Sequence, residues 1–197
     1  LGLVTAKKGL GKTAVLIQFG MDTLLNGKQL VHVSFDQHSN DVISGYDTVY
    51  SEISKKKTIA NAAEVKEQII RNRTILNFSQ DNFSLEKVVN TLKAGGIAVA
   101  GVVIDGVDFS KTKESDIQAV SSYAKATKTK IWVSATSDGD KLEESAPKAI
   151  LPYFSAVVHL AAKGKETLVQ ILKMGKNTDI ESKLKLDPKT SLITVAK

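Results

Sequence analysis

The sequence has no cysteine and only three prolines, one tryptophan and two arginines, Arg71 and Arg73. Without cysteine the chain can form neither disulfide staples nor thiolate metal sites, which fits a reducing compartment. With so few guanidinium forks it has little means of gripping phosphates or guanines bidentately. No apolar run approaches the roughly 18 residues that a membrane helix needs, and no signal-peptide pattern is seen. We therefore expect no membrane partner and a cytoplasmic setting. The chain opens on Leu1, directly on what reads as a strand, so further sequence upstream is expected.

What is present is ordinary for a globular protein: 197 residues, 42% apolar and 24% charged, enough for one domain with a sizeable core. The net charge of +6, from 27 Lys plus Arg against 21 Asp plus Glu, makes polyanions candidate partners. The run Lys55 to Lys57 reads as a solvated face.

Short β-branched runs alternate with segments of helical period, which predicts an α/β fold with a mostly parallel sheet flanked by helices. Strands are expected at "LGLVTA", "QLVHVSF", "TILNF", "IAVAGVVID" and "KIWVSAT". Helices are expected from Ala14 to Leu25, along the stripe Val42, Ile43, Tyr46, Val49, Tyr50 and Ile53, after a capping pair Asn61 and Glu64, and from Ser84. A further helix carries Ile117, Val120 and Ala124. The strand "IAVAGVVID" is the most hydrophobic and is expected at the centre of the sheet. From Ser155 the helices stop, and closely spaced strands predict an antiparallel tail.

The loop "AKKGLGKTA" lies between the first strand and the first helix. Its residues Ala6, Lys7, Lys8, Gly9, Leu10, Gly11, Lys12, Thr13 and Ala14 approach the pattern G-x-x-x-x-G-K-[ST], with alanine in place of the leading glycine. Such a loop aims backbone N–H groups and a helix N-terminus at a phosphate. On this reading Lys12 contacts β- and γ-phosphate oxygens of ATP, and Thr13 ligates Mg²⁺. Asp105, ending "GVVID", is the carboxylate that holds Mg²⁺ through its water, or else a strand-end turn residue. Asp36 is either a base for hydrolysis or a cap for the following helix. Ser134 and Thr136 are either γ-phosphate sensors or turn hydroxyls. His32, His38 and His159 have no metal spacing, and Trp132 reads as core.

Together with "VHVSFDQ", "SLEKVVNTLKAGGIAVAGVVIDGVDF", "AKATKTKIWVSAT" and the tail, the loop resembles the ATPase core of the RecA superfamily, especially its DnaB-helicase-like and KaiC-like branches. The resemblance spans nearly the whole chain. It implies one ATPase domain that oligomerises, with ATP and Mg²⁺ as ligands and single-stranded DNA as the first partner to test. It also implies that the strand of Ser134 lies between the loop strand and the strand of Asp105.

The chain departs from that family in places. Asp36 stands where a glutamate is usual, and a carboxylate retracted by about 1.5 Å implies slow hydrolysis. Ala135 stands where a polar sensor is common. In place of a trans-acting arginine the tail offers Lys173 and Lys176, which supply charge without a bidentate fork. These departures leave open a catalytically idle, scaffolding relative. Lys7 and the position of Asp36 also suit the deviant Walker ATPases of the ParA/MinD group. Against that group stand Ser34, where an acidic residue is preferred, Val107, where proline is, and the antiparallel tail.

Overall fold

The computed structural model describes residues 1–96 and 98–195. Its core is one nine-stranded sheet: β1 (Gly2–Ala6), β2 (Leu30–Ser34), β3 (Arg73–Asn77), β4 (Gly101–Val107), β5 (Lys130–Thr136), β6 (Ala156–Lys163), β7 (Glu166–Met174), β8 (Asn177–Leu186) and β9 (Ile193–Val195). The spatial order is β3-β2-β4-β5-β1-β6-β7-β8-β9. Five helices accompany it: α1 (Lys12–Leu25), α2 (Ser39–Lys56), α3 (Ala62–Asn72), α4 (Leu85–Ala94) and α5 (Glu114–Thr127).

Strands buried on both faces carry apolar residues at successive positions, and each one feeds two cores. Leu3 and Val102 point into one layer with Val88 and Val89 of α4 and Ile117 and Val120 of α5. Val4 and Val103 point into the other, with Leu16 and Met21 of α1, Tyr46 of α2 and Ile69 of α3. The result is a helix–sheet–helix sandwich, the α/β class expected from the pattern.

β5 lies between β4 and β1, so "KIWVSAT" sits beside "LGLVTA" as the resemblance implies. β4 is interior but third from one edge, and the fully buried β1 occupies the middle. Hydrophobicity reports burial on both faces, and several interior strands meet that condition. β4 also begins at Gly101, so Val99 and Ala100 precede it and Ile97 lies outside the described residues.

The tail is antiparallel only from β7 onward. Between β5 and β6 the segment 137–155, with short 3₁₀ turns at Leu142–Glu144 and Leu151–Tyr153, carries the chain back to the opposite end of the sheet. β6 therefore starts level with Gly2 and runs parallel to β1, and β6 to β9 then form a meander. Ser84 caps α4 by accepting from the Lys87 amide at 3.3 Å. Asn61 precedes α3 but has φ 53° and makes no side-chain cap, so the expected pairing with Glu64 is not the device that starts this helix.

Because β1, β2, β4 and β5 are parallel, their carboxyl ends lie at one edge of the sheet. β1 is followed in space by β5 on one side and β6 on the other, the kind of crevice in which open α/β sheets carry ligand sites.

Candidate functional site

β1 delivers Ala6, fully buried and in ordinary strand conformation, to the base of the loop. Alanine suffices there because no positive φ is required. Gly9 and Gly11 do have positive φ, 84° and 95°, where an L side chain would be strained. Gly11 is the residue before α1, and a Cβ on it would come within 2.9 Å of Leu186 Cδ1. Among the described residues, the amides of Gly9, Gly11, Lys12, Thr13 and Ala14 make no hydrogen bond within the protein. The first turn of α1 holds no acidic side chain. A helix N-terminus of this kind presents partial positive charge and free donors.

Lys12 extends back over the loop, its Nζ donating to the Ala6 carbonyl at 3.4 Å. Burial lowers its pKa, while Asp105 and Asp36 act in the opposite direction and favour the charged form. The ammonium therefore lies in the field of both carboxylates named from the sequence.

Thr13 Oγ1 donates to Asp105 Oδ2 at 2.6 Å. The other carboxylate oxygen of Asp105 accepts from the Ser134 hydroxyl, which itself accepts from the Gly106 amide at 3.0 Å. Ser134 is fully buried, so it orients Asp105 and does not open onto the cleft. Thr136, two residues on, does line the cleft.

Asp36 follows β2, with His38 occupying the position before α2, so Asp36 is not the helix cap. Its carboxylate lies over Gly106. A Cβ on Gly106 would meet the Asp36 carboxyl atoms at 2.5–2.9 Å, and Gly106 has φ 77° beside an irregularity between Ile104 and Val107. Only glycine admits Asp36 at this spot. Burial, and then the charge of Asp105, raise the Asp36 pKa, with Lys12 opposing. Asp36, Lys12, Thr13 and Asp105 thus converge on one locus.

That locus opens into a cleft of about 870 Å³ lined by Lys8, Gly9, Gly11, Thr13, Asp36 and Thr136, and by parts of α2 and the β8–β9 turn. Gly45 lets α2 approach α1, since a Cβ there would meet Ile17 Cδ1 at 2.5 Å. Lys189, Thr190 and Ser191 complete the lining. Asp187 holds this turn by accepting from the amides of Lys189 and Thr190 at 3.0 and 2.8 Å. Gln18 of α1 anchors it, donating to the Ser191 carbonyl at 2.9 Å and accepting from the Ile193 amide at 2.7 Å.

Lys189, Thr190, Ser191 and Gln37 carry no motif in the sequence that marks them as part of this site. The D-x-x-T spacing of Asp187 and Thr190 signals a turn, but its place at the cleft follows from the β6–β9 register. Conversely, Ala6, Lys7 and Leu10 belong to the loop without lining the cleft. Lys7 is exposed, and its charge acts on His159, whose Nδ1 is 2.9 Å from Thr5 Oγ1. Lys173 and Lys176 lie at the β7–β8 turn, level with the start of β1, at the opposite end of the sheet from the loop. They do not contribute to the site of their own chain.

No protein-family model and no curated protein matches this chain. Chemically, the site joins unpaired main-chain donors and an ammonium with a hydroxyl–carboxylate pair. The first two suit an anion and the last a hard cation.

Proposed function

We propose that the chain is a RecA-like ATP-binding domain that uses Mg²⁺ and hydrolyses ATP slowly, its nucleotide state controlling contacts with a partner. The observation that carries this reading is the convergence of the free amides of α1, Lys12, Thr13 and Asp105 on one point. The position of β5 between β1 and β4 and the antiparallel strands at the end of the sheet support the RecA-like reading over the ParA/MinD-like one.

The residues fit both ligands. The backbone donors of Gly9, Gly11, Lys12, Thr13 and Ala14 would surround the β-phosphate, with the Lys12 ammonium on its outer oxygens. Among the described residues, no group of three His, Cys, Asp or Glu side chains could hold a metal. A cation that binds through one hydroxyl, one carboxylate by way of water, and the phosphates themselves matches Mg²⁺. When bound, it would neutralise charge developing on the phosphate oxygens. Thr13 and Asp105 would hold it, and Ser134 would fix the carboxylate.

Asp36 is the group able to take a proton from an attacking water. Its raised pKa improves it as a base, while its short side chain, lying against Gly106, limits its reach. Slow turnover is the consequence, and a nucleotide-binding scaffold without turnover is the limiting case.

The deciding experiment is a titration of the chain with fluorescent ATP, with and without Mg²⁺. Binding should require Mg²⁺ and be lost in Lys12→Ala. Binding indifferent to both changes would remove the proposal. Phosphate release with and without single-stranded DNA then separates a slow ATPase from an idle scaffold. Retention on single-stranded DNA that weakens steeply with salt would support a nucleic-acid partner, and a second copy of the chain is the other partner expected.

A further inference from the structure

Gln37 lies beside Asp36 in the cleft wall, and its carboxamide Nε2 donates to Thr13 Oγ1 at 3.3 Å. A threonine hydroxyl has one proton and two lone pairs. Thr13 spends its proton on Asp105 at 2.6 Å, so Gln37 has to be the donor in their contact. The amide N–H of Gln37 therefore takes up one of the two lone pairs through which the hydroxyl could meet a cation.

The backbone of Gln37 is fixed from both ends. Its N–H donates to Ser34 Oγ at 3.0 Å, and its carbonyl accepts from Asn77 Nδ2 at the end of β3. Asn77 also donates to the Ser34 carbonyl at 3.4 Å. The long 3.3 Å contact to Thr13 is, among the described residues, the one hydrogen bond of the Gln37 side chain. A clamped main chain with a loosely held side chain is suited to moving one group and nothing else.

Resting on the nucleotide reading above, we infer that Gln37 is a sensor of the terminal phosphate: its carboxamide leaves Thr13 when a cation–triphosphate occupies the site and donates to a γ-phosphate oxygen. The electrostatics run in one direction. A divalent cation on the Thr13 hydroxyl repels the positive edge of the amide. The freed N–H then needs an acceptor, and a charged phosphate oxygen is a strong one. A diphosphate leaves the terminal position without that acceptor. Gln37 thereby distinguishes ATP from ADP from the β2 side of the site; on the β5 side Ser134 is committed to Asp105 and Ala135 has no polar group, which leaves Thr136 as the cleft-lining hydroxyl there.

The test measures affinities of the full chain for ADP and for adenylyl imidodiphosphate, both with excess Mg²⁺, in wild type, Gln37→Met and Gln37→Glu. Methionine keeps the length without the donor, and glutamate replaces the donor with a charge that repels phosphate. Hydrogen bonds to charged groups are strong enough that Gln37→Met should reduce the triphosphate-over-diphosphate preference about tenfold. Gln37→Glu should reduce it further. An unchanged ratio in both variants, with both nucleotides still bound, would overturn the role of Gln37 alone. Failure of wild type to bind either nucleotide, or equal binding by Lys12→Ala, would overturn the site reading and the sensor with it.

Discussion

Thr13 in the first turn of α1 and Asp105 on β4, 92 residues apart in the chain, meet through a 2.6 Å hydrogen bond. The bond gives the carboxylate a fixed orientation and commits the proton of the hydroxyl, so that its lone pairs remain the part able to meet a cation. Groups that orient a metal's surroundings typically matter by about 10–100-fold in affinity. Asp105→Asn is therefore expected to raise the Mg²⁺ concentration needed for half-maximal ATP binding by about that factor. Thr13→Ala should do the same, and Thr13→Ser should restore most of it. Magnesium titrations at fixed fluorescent ATP read the effect directly, and coincident curves for all four proteins would refute it.

Gly106, like Gly9 and Gly11, is a position where the site depends on a positive φ. An alanine there must take up φ 77° and place its methyl where the Asp36 carboxylate now lies. The conformational strain alone is on the order of 1 kcal/mol. Gly106→Ala should thus lower the free energy of unfolding in urea by about 1–2 kcal/mol and reduce phosphate release, because Asp36 must move. A variant with unchanged stability and unchanged turnover would show that the contact is unimportant.

These two predictions concern features of different legibility. The loop, its helix and the Asp105 strand could be read from the chain, because glycine, lysine and threonine at fixed spacing are a local signal between a strand and a helix. The placement of β5 followed from the resemblance. Other parts depend on register between distant segments. β6 parallel to β1 results from the path of residues 137–155, which no local pattern announces. Lys189 and Thr190 face the loop because three antiparallel pairings bring the β8–β9 turn back to α1. Gln37 looks like an ordinary loop residue until Asn77 and Ser34 are seen to fix its backbone. Ser134 had the right chemistry for a sensor, but its burial assigns it to Asp105. Asn61 had the right chemistry for a cap, and its left-handed backbone prevents it.

Asp36 gives a prediction with a definite sign in pH. Its folded pKa is raised above 3.8, mainly by burial and next by Asp105. The folded state then binds the proton more tightly than the unfolded state, so ionised Asp36 subtracts from stability at neutral pH. The penalty is absent below 3.8, where both states are protonated, and develops as pH rises through the folded pKa. Asp36→Asn should accordingly be more stable than wild type near neutral pH, by a small margin because Asp36 keeps an exposed side. The margin should vanish in acid, and phosphate release should fall at all pH values. Thermal midpoints across the range test this, and an Asn variant less stable than wild type at neutral pH would contradict it.

His32 gives the opposite slope. It is completely buried beneath α2, its Nδ1 3.0 Å from the Tyr46 hydroxyl and its Nε2 without a partner among the described residues. Arg73 lies over the Tyr46 ring at 4.8 Å. Burial, reinforced by the Arg73 charge, lowers the His32 pKa from 6.5 to about 3. Between those values the unfolded chain takes up a proton that the folded protein refuses, so stability falls as pH falls. One such group contributes a limiting slope of about 1.4 kcal/mol per pH unit. His32→Gln keeps a group able to bond Tyr46 without titrating in this range. At about pH 7.5 it should be less stable than wild type through lost packing, and the difference should shrink and then reverse as pH approaches 4.5. Urea unfolding at four or so pH values would show it, and a difference that stays constant would assign the acid sensitivity of this fold to some other group.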